Sequence, residues 1–358
     1  MSNQRTVAVL TEIKEDRERA SFGSIHLFCE ELVKYGETHS LFVYVTSPSL
    51  YLQHTGYRLT GSEWIKGGVP RANVVYNRLH SRKSEYAPAF QQLLARLDEE
   101  DGAMFNRRFL HKWEVHRYLE RHEYLHPYLP KTALWDGQDS LEAFLAAFPS
   151  VFLKPVHGSQ GRGIFRIECT DKGICLRRST SSSSALYRSV AAAVSALQPQ
   201  IRTPMIIQQG LELQTIDGRP VDFRLLCHRI RHNDWRVTSA VARAAPPEQF
   251  VANLARGGVL MAVNDVLRKW YTRADVFQQK QLLKEIALES AAVLASEAEG
   301  LYGEFGVDLA IDVHGRPWII EVNTKPSKQA EMTFSQQTVR PSAKAVIDYC
   351  LTLMEEKE

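Results

Sequence analysis

Asp308, Glu321 and Asn323 fall within one stretch, GEFGVDLAIDVHGRPWIIEVNTKPS (residues 303–327), where three oxygen-bearing side chains could hold a hard cation. Residues 305–311 alternate Phe305, Val307, Leu309 and Ile311 with Gly306, Asp308 and Ala310. Residues 318–323 alternate Trp318, Ile320 and Val322 with Ile319, Glu321 and Asn323, so both segments have the period of two of a β-strand. A two-residue turn at His314-Gly315 predicts Asp308 directly opposite Glu321, with Asn323 two residues further on. Carboxylates side by side on paired strands repel unless a cation or a donor joins them. Magnesium takes oxygen ligands and is commonly held by one or two carboxylates together with substrate phosphates. The other reading is a solvated polar face on an edge hairpin.

A second chemical stretch is VFLKPVHGSQGRGIFRI (residues 151–167), an apolar strand ending in Lys154, a loop with Gly158, Gly161 and Gly163, and a second strand. Such glycines let backbone N–H groups turn toward phosphate oxygens, and Lys154, His157, Ser159 and Gln160 add donors. A plain hairpin tip is the alternative. MIIQQGLEL (residues 205–213) reads as a strand entering Gln208-Gln209-Gly210, a short polar link able to meet a flat base. In VDFRLLC (residues 221–227), Asp222 and Arg224 share one face, and a partner strand from Trp235 ends at Arg243. Arginine on a half-buried sheet requires an anion, either a neighbouring carboxylate such as Asp222 or a ligand phosphate. Asn253 to Gly258 (NLARGG) forms a polar loop able to approach a ligand.

One motif competes with these. His122-Glu123-Tyr124-Leu125-His126 has the HExxH form in which a helix presents two imidazoles to zinc. Pro127 follows at once and must terminate the helix that begins near Phe105, so His126 would sit in its last turn, and no third ligand is evident downstream. A zinc peptidase with Glu123 as general base is the remote reading of the motif, and a solvated helix end is the nearer one.

The elements needed to position these groups are legible in outline. Strands at 6–10, 41–45 and 74–76, helices at 22–35 and 85–97, and no GxGxxG predict a parallel α/β lobe without a dinucleotide fingerprint. RRSTSSSS (177–184) is low in complexity and reads as a mobile tip before an alanine-rich helix reaching Leu197. Amphipathic helices at 274–299 and 342–356 read as core packing. The 358 residues are 44% apolar and 24% charged, an ordinary globular balance for two or three lobes. A net charge of +3, from 44 Lys and Arg against 41 Asp and Glu, argues for neither nucleic acid nor a membrane surface as partner. Five scattered cysteines without CxxC argue for a reducing compartment. The beginning MSNQRTVAVL lacks a signal-type apolar run, and no segment approaches the ~18 apolar residues of a membrane span, so the expected location is cytoplasmic.

The order of these parts resembles the ATP-grasp superfamily from about Phe105 to Ser327. A closer resemblance, covering almost the whole chain, is to its YheC/YheD endospore coat-associated group. It is carried by VVYNRL (74–79), FNRRFLHKWEVHRYL, KPVHGSQGRGI, QQGLEL, DFRLL, NLARGG and EVNTKPS. The resemblance implies an ATP-grasp fold, α+β in its nucleotide-binding lobes, with an N-terminal parallel α/β lobe at 1–103, a central lid lobe at 104–205 and a C-terminal lobe at 206–358. It implies that Lys112 and Lys154 reach the nucleotide phosphates under a lid of residues 158–163. Gln208, Gln209 and Leu211 would form the adenine hinge, with Glu212 toward the ribose, and glutamines stand where hinge glutamates are common elsewhere in the superfamily. Arg224 and Arg243 would meet the γ-phosphate. Asp308, Glu321 and Asn323 would hold Mg2+, or Mn2+ in its place, and Asn253 and Arg256 would lie by the acceptor and the transferred phosphate. The activity implied is ADP-forming ligation of a carboxylate to an amine through an acyl phosphate, linked to sporulation and spore coat proteins. A coat assembly protein that binds nucleotide without turnover is the alternative.

Overall fold

A computed structural model describes residues 4–16, 19–158, 161–181, 183–247, 249–250, 257–333 and 338–357, built around three six-stranded sheets. Apolar, β-branched segments form the centre of the first sheet: Phe42–Thr46, Thr6–Leu10, Val74–Asn77 and Ala103–Phe105 lie side by side, all parallel. Thr6–Leu10 is buried on both faces, as a central parallel strand requires. An antiparallel pair not foreseen from sequence, Thr55–Thr60 and Glu63–Gly68, extends one edge. The helix expected at 22–35 runs His26–Glu37 after a short 3-10 turn at Gly23–Ile25, and the one expected at 85–97 runs Pro88–Glu99, beginning on a proline that needs no N–H partner there.

The second sheet is antiparallel, in the order Ser184–Tyr187, Gly173–Arg178, Phe165–Thr170, Ser150–Pro155, Met205–Gln209, Thr132–Leu134. The serine-rich run is therefore less irregular than its composition implies: Ser184 pairs with Arg177, and residues 184–187 form an edge strand before the helix Val190–Leu197. The third sheet runs Val259–Met261, Asp234–Ala244, Arg219–Arg231, Glu304–Ile311, Pro317–Asn323, with Thr215–Ile216 paired to the long strand Arg219–Arg231. The helix Arg273–Glu297, capped by the Thr272 hydroxyl at the Asp275 N–H, packs Leu283, Ile286 and Leu294 into this sheet's core with Phe223, Val307 and Leu309.

The closing helix Pro341–Glu355 bridges two layers, placing Val346, Ile347 and Cys350 in the N-terminal core with Val7, Phe28 and Leu32 while its Thr352 hydroxyl donates to the Ile230 carbonyl of the third sheet at 2.9 Å. Its entry is fixed by Arg340, whose Nε and Nη2 donate to the Glu31 carboxylate, each at 2.7 Å, while Nη1 donates to the Lys328 carbonyl at 3.0 Å.

A second buried polar group ties the first sheet to the third. Glu304 accepts from Tyr76 Oη and Arg78 Nη1, each at 2.8 Å, from Asn106 Nδ2 at 2.9 Å, and from Lys328. Arg78 Nη2 also donates to the Pro326 carbonyl at 3.0 Å. Burial opposes ionisation of Glu304, but the Lys328 and Arg78 charges prevail and hold its carboxyl well below the usual range. Loop 324–328, directly after Asn323, is thereby pinned from below.

Candidate active site

The metal-type hairpin has the expected facing pair, reached through a different register. Asp308 pairs with Glu321 and Gly306 with Asn323, but beyond Asp308 the partners are Leu309 with Ile319 and Ala310 with Trp318. Ile320 is the extra residue of a β-bulge. The tip is not the two-residue turn expected at His314-Gly315: Gly315, with φ +83°, closes a longer turn in which Asp312 N–H donates to the Arg316 carbonyl at 3.0 Å. The Asp312 carboxylate accepts from the N–H groups of His314 and Arg316 and from Trp318 Nε1. The longer tip shifts the pairing and the bulge shifts it back, so Asp308 still meets Glu321. The bulge also moves Ile319 from the Glu321 face, where strict alternation placed it, into the core with Leu309 and Val322.

Cations hold both carboxylates. Arg224 stands directly across the strands from Asp308 and engages it through Nε and through Nη2, the latter at 2.7 Å from Oδ2. Arg243 stands across from Asp222, which it holds at 2.6 and 2.8 Å, and reaches Asp308 at 3.0 Å. The arginine partners are therefore Asp308 for Arg224 and Asp222 for Arg243, not Asp222 for Arg224, because cross-strand neighbours stand closer than residues two apart on one strand. Burial would raise Asp308; Arg224 and Arg243 outweigh it and hold the carboxyl down. For Asp222 burial prevails over Arg243 and pushes the carboxyl to about 6. Asn323 Nδ2 approaches Asp308 Oδ2 at 3.4 Å.

Lys112 opens the helix Lys112–Glu120, whose first turn is closed by a capping box between His111 and Glu114. Its N–H donates to Val156 O, and its Nζ lies 2.5 Å from Glu321 Oε1 and 3.1 Å from the Gly158 carbonyl. Lys154, near the end of Ser150–Pro155, places Nζ 2.5 Å from Gln208 Oε1. Burial lowers the Lys154 ammonium to about 8, with Glu321 opposing and Lys112 adding to the shift, so the three charges share one site.

In the lid, Gly161 and Gly163 adopt φ +66° and +70°, the left-handed conformation that favours glycine, and Ser179 Oγ donates to the Gly161 carbonyl at 2.6 Å. His157 is exposed, its ring 5.1 Å from that of His111. Ser159, Gln160, Asn253 and Arg256 lie outside the described residues.

At the hinge, the Gln208 amide is already engaged, accepting from Lys154 and donating to Thr132 Oγ1 at 2.9 Å. The Gln209 side chain accepts from Lys131 N–H at 3.2 Å, and Gly210 N–H donates to Ser150 O at 2.8 Å. Among the described residues, the backbone of Leu211 carries no hydrogen bond. Next to it, Glu212 is exposed and its carbonyl accepts from Val313 N–H at 2.9 Å.

The helix bearing Lys112 ends at Glu120, well before Pro127, so the HExxH residues are not on it; His122 Nε2 instead lies 3.3 Å from Glu289. Among the described residues no three His, Cys, Asp or Glu side chains converge on a metal position, and the oxygen set of Asp308, Glu321 and Asn323 suits magnesium rather than zinc. Sequence reasoning missed the buried supports Arg78, Glu304 and Lys328. It also missed Lys325, which pairs with Glu85 while its Nζ lies 4.4 Å from the centroid of the Phe109 ring. The signal was available in charged residues set among apolar ones in VVYNRL and in TKPSK, but their partners lie across the chain.

A lysine-bearing lid sheet over a sheet carrying paired carboxylates and arginines defines an ATP-grasp protein. The chain belongs to the YheC/D-like ATP-grasp family, which it matches over residues 101–353. Endospore coat-associated protein YheD of Bacillus subtilis (strain 168) is 31% identical over 76% of this chain and 60% of its own length, so this chain spans well under two thirds of that relative. Endospore coat-associated protein YheC of the same organism is 22% identical over 87% of this chain and 86% of its own. In fold, the chain is similar to the ATP-grasp ligase PsnB complexed with minimal precursor (TM-score 0.57, 13% identity, 98% and 99% of the two chains). It is equally similar to D-cycloserine synthetase DcsG (TM-score 0.57, 16% identity, 96% and 99%). No helix among the described residues is long and apolar enough to cross a membrane.

Proposed function

We propose that this chain is an ATP- and magnesium-dependent carboxylate–amine ligase that acts through an acyl phosphate in formation of the spore coat. One observation carries the reading: Lys112, Lys154, Arg224, Arg243, Asp308, Glu321 and Asn323, drawn from distant parts of the chain, meet in one site where cations suited to phosphates neutralise carboxylates suited to a metal. The ligase fold and the coat-associated relatives support it.

In this reading Asp308, Glu321 and Asn323 hold magnesium, or manganese in its place. Bound there, the metal would neutralise phosphate charge, and ATP would supply the phosphoryl group. Lys112, Lys154, His157 and the lid through Ser159, Gln160 and the glycines at 158, 161 and 163 bind phosphates. Gln208 and Gln209 support the hinge, Leu211 meets the base and Glu212 the ribose. Arg224 and Arg243 orient the transferred group, and Asn253 and Arg256 serve the acceptor. The lobes near 1–103, 104–205 and 206–358 divide acceptor, lid and metal duties. Phosphoryl transfer requires positioning and charge neutralisation more than a covalent group from the protein, and this side-chain set supplies both. A carboxylate made into an acyl phosphate is open to attack by an amine, with loss of phosphate.

The test is ADP release with pooled carboxylates and amines, followed by mass spectrometry. At least one pair should stimulate release and yield a product with the mass of the two less water. No stimulation by any pool, in protein that binds nucleotide, would leave a coat assembly protein without turnover.

A further inference from the structure

Arg224, Arg243, Lys112, Arg78, Arg108 and Lys325 each have a carboxylate within ion-pair distance. Arg82 has none among the described residues. It begins the short helix Arg82–Glu85 just past the C-terminal end of the parallel strand Val74–Asn77, the end at which open α/β sheets receive ligands. Its guanidinium lies 5.2 Å from the Phe109 ring centroid, Nη2 donates to Leu110 O at 3.0 Å, and Nε is buried without an acceptor. Leaving such a donor unpaired costs about 1–3 kcal/mol. Glu85, Glu321 and Glu114 all act on the Arg82 charge, and none of them comes within ion-pair distance.

Two imidazoles stand beside it. His111 Nδ1 accepts the Glu114 N–H at 3.1 Å, which puts the ring proton on Nε2 and makes that nitrogen a donor. His157 meets His111 edge to face. Burial lowers the His111 imidazole, with Arg82 adding to the shift and Glu114 opposing it. One guanidinium beside an imidazole whose Nε2 donates suits an anion that must be held yet remain nucleophilic.

We propose that Arg82, with His111 beside it, anchors the carboxylate that the ligase is to activate, while His157 stays on the phosphate side of His111. This rests on the ligase reading. The guanidinium fork matches a carboxylate with two parallel N–H groups, a match that lysine does not reproduce.

Arginine labelling of the full chain with phenylglyoxal, read peptide by peptide, tests it with acetate, succinate and glutamate as probes. At least one should slow Arg82 labelling about tenfold at saturation, while the non-hydrolysable ATP analogue AMPPNP with Mg2+ alone should leave it unchanged. Protection by AMPPNP and not by any carboxylate would make Arg82 a phosphate ligand, and protection by neither would remove it from the site; both overturn the proposal. With a carboxylate that stimulates ADP release, Arg82→Lys should raise KM for that carboxylate about tenfold and leave KM for ATP within about twofold, and parallel changes in both would point to a structural role. Calorimetry with AMPPNP and Mg2+ on the same protein reads the nucleotide site separately: absence of binding there defeats the ligase reading without deciding the Arg82 footprint.

Discussion

Lys112 Nζ lies 2.5 Å from Glu321 Oε1, so the residue suited to a phosphate neutralises a residue suited to a metal. Asp308 is held in the same way by Arg224 and Arg243. A polyphosphate alone would have to draw these cations from their carboxylates and leave the carboxylates unpaired, and a metal alone would do the reverse to the cations. Together the two ligands satisfy both sets. Mg2+ and AMPPNP should therefore bind with positive coupling of about 5–150-fold, with Mg2+ alone giving no measurable heat in calorimetry. Equal affinity for each ligand with and without the other would show that the observed pairs do not oppose binding.

Asp308 is buried between two arginines, so its removal has two separable effects. Asp308→Ala leaves facing guanidiniums without an anion and should cost about 3–5 kcal/mol of stability. Asp308→Asn keeps the shape and an acceptor oxygen, so it should melt closer to wild type yet lose about 100-fold or more of Mg2+-dependent ATP turnover. Melting curves and ADP release on both variants separate fold from function, and wild-type turnover in Asp308→Asn would remove Asp308 from the metal site.

Lys154 gives the nucleotide site a pH dependence of known sign. Burial brings its ammonium to about 8, and a bound polyphosphate favours the charged form. Binding of AMPPNP with Mg2+ near pH 8 should therefore take up protons, and affinity should fall as pH rises further, by at most about tenfold per unit. Lys154→Met should abolish the uptake. Calorimetry in buffers of different ionisation heat measures it directly, and zero uptake by wild type at that pH would show that Lys154 does not face the phosphates.

Much of this site is legible in the chain because its chemistry rides on short periods: Asp308 and Glu321 follow from alternation, and the lid from glycines between two apolar runs. The paths to those positions are less legible. Ile320 bulges because the tip at Gly315 is longer than a two-residue turn, and nothing in PWIIEVN marks which residue will be extra. The three residues Thr132–Leu134 become an edge strand only because Met205–Gln209 offers them a ladder. The partners of Arg78 and Glu31 lie 226 and 309 residues away, so no local pattern could pair them. Helix Lys112–Glu120 stops before Pro127 because the turns after Glu120 take other hydrogen bonds, including Leu125 N–H to the His122 carbonyl at 3.0 Å.

The buried pair His228 and Lys328 predicts acid sensitivity of the fold. Lys328 Nζ lies 2.8 Å from His228 Nε2 and donates to it, leaving the ring proton on Nδ1 toward Thr238 Oγ1 at 2.8 Å. Burial first, and then the Lys328 charge, lower His228 from 6.5 to about 4. The unfolded chain thus takes up this proton first, so the stability contribution is full above 6.5 and is lost as pH falls toward 4, to a total of about 3 kcal/mol. His228→Gln, which can still accept from Lys328, should flatten that part of the profile. Urea unfolding across this range decides it: an equal slope in the variant would assign the loss to other groups.

Gly210 tests whether the lid sheet and the hinge act as one unit. Its N–H donates to Ser150 O at 2.8 Å, joining the start of the strand that carries Lys154 to the link after Gln209. A Cβ at this position would stand 2.0 Å from Ser150 Oγ and 2.5 Å from Ser150 O, and the second contact is backbone that no rotamer can relieve. Gly210→Ala must therefore open the sheet at the point where Lys154 and Leu211 are set relative to each other. The expected cost is about 1–3 kcal/mol in stability, with weaker AMPPNP binding even though no side chain of the site is altered. Gly218→Ala is the control, since a Cβ there meets nothing within 4 Å although its φ of +72° carries its own strain. If the two variants lose the same stability and both keep wild-type nucleotide affinity, the spacing of Lys154 and Leu211 does not depend on Gly210, and the hinge edge must be sought elsewhere.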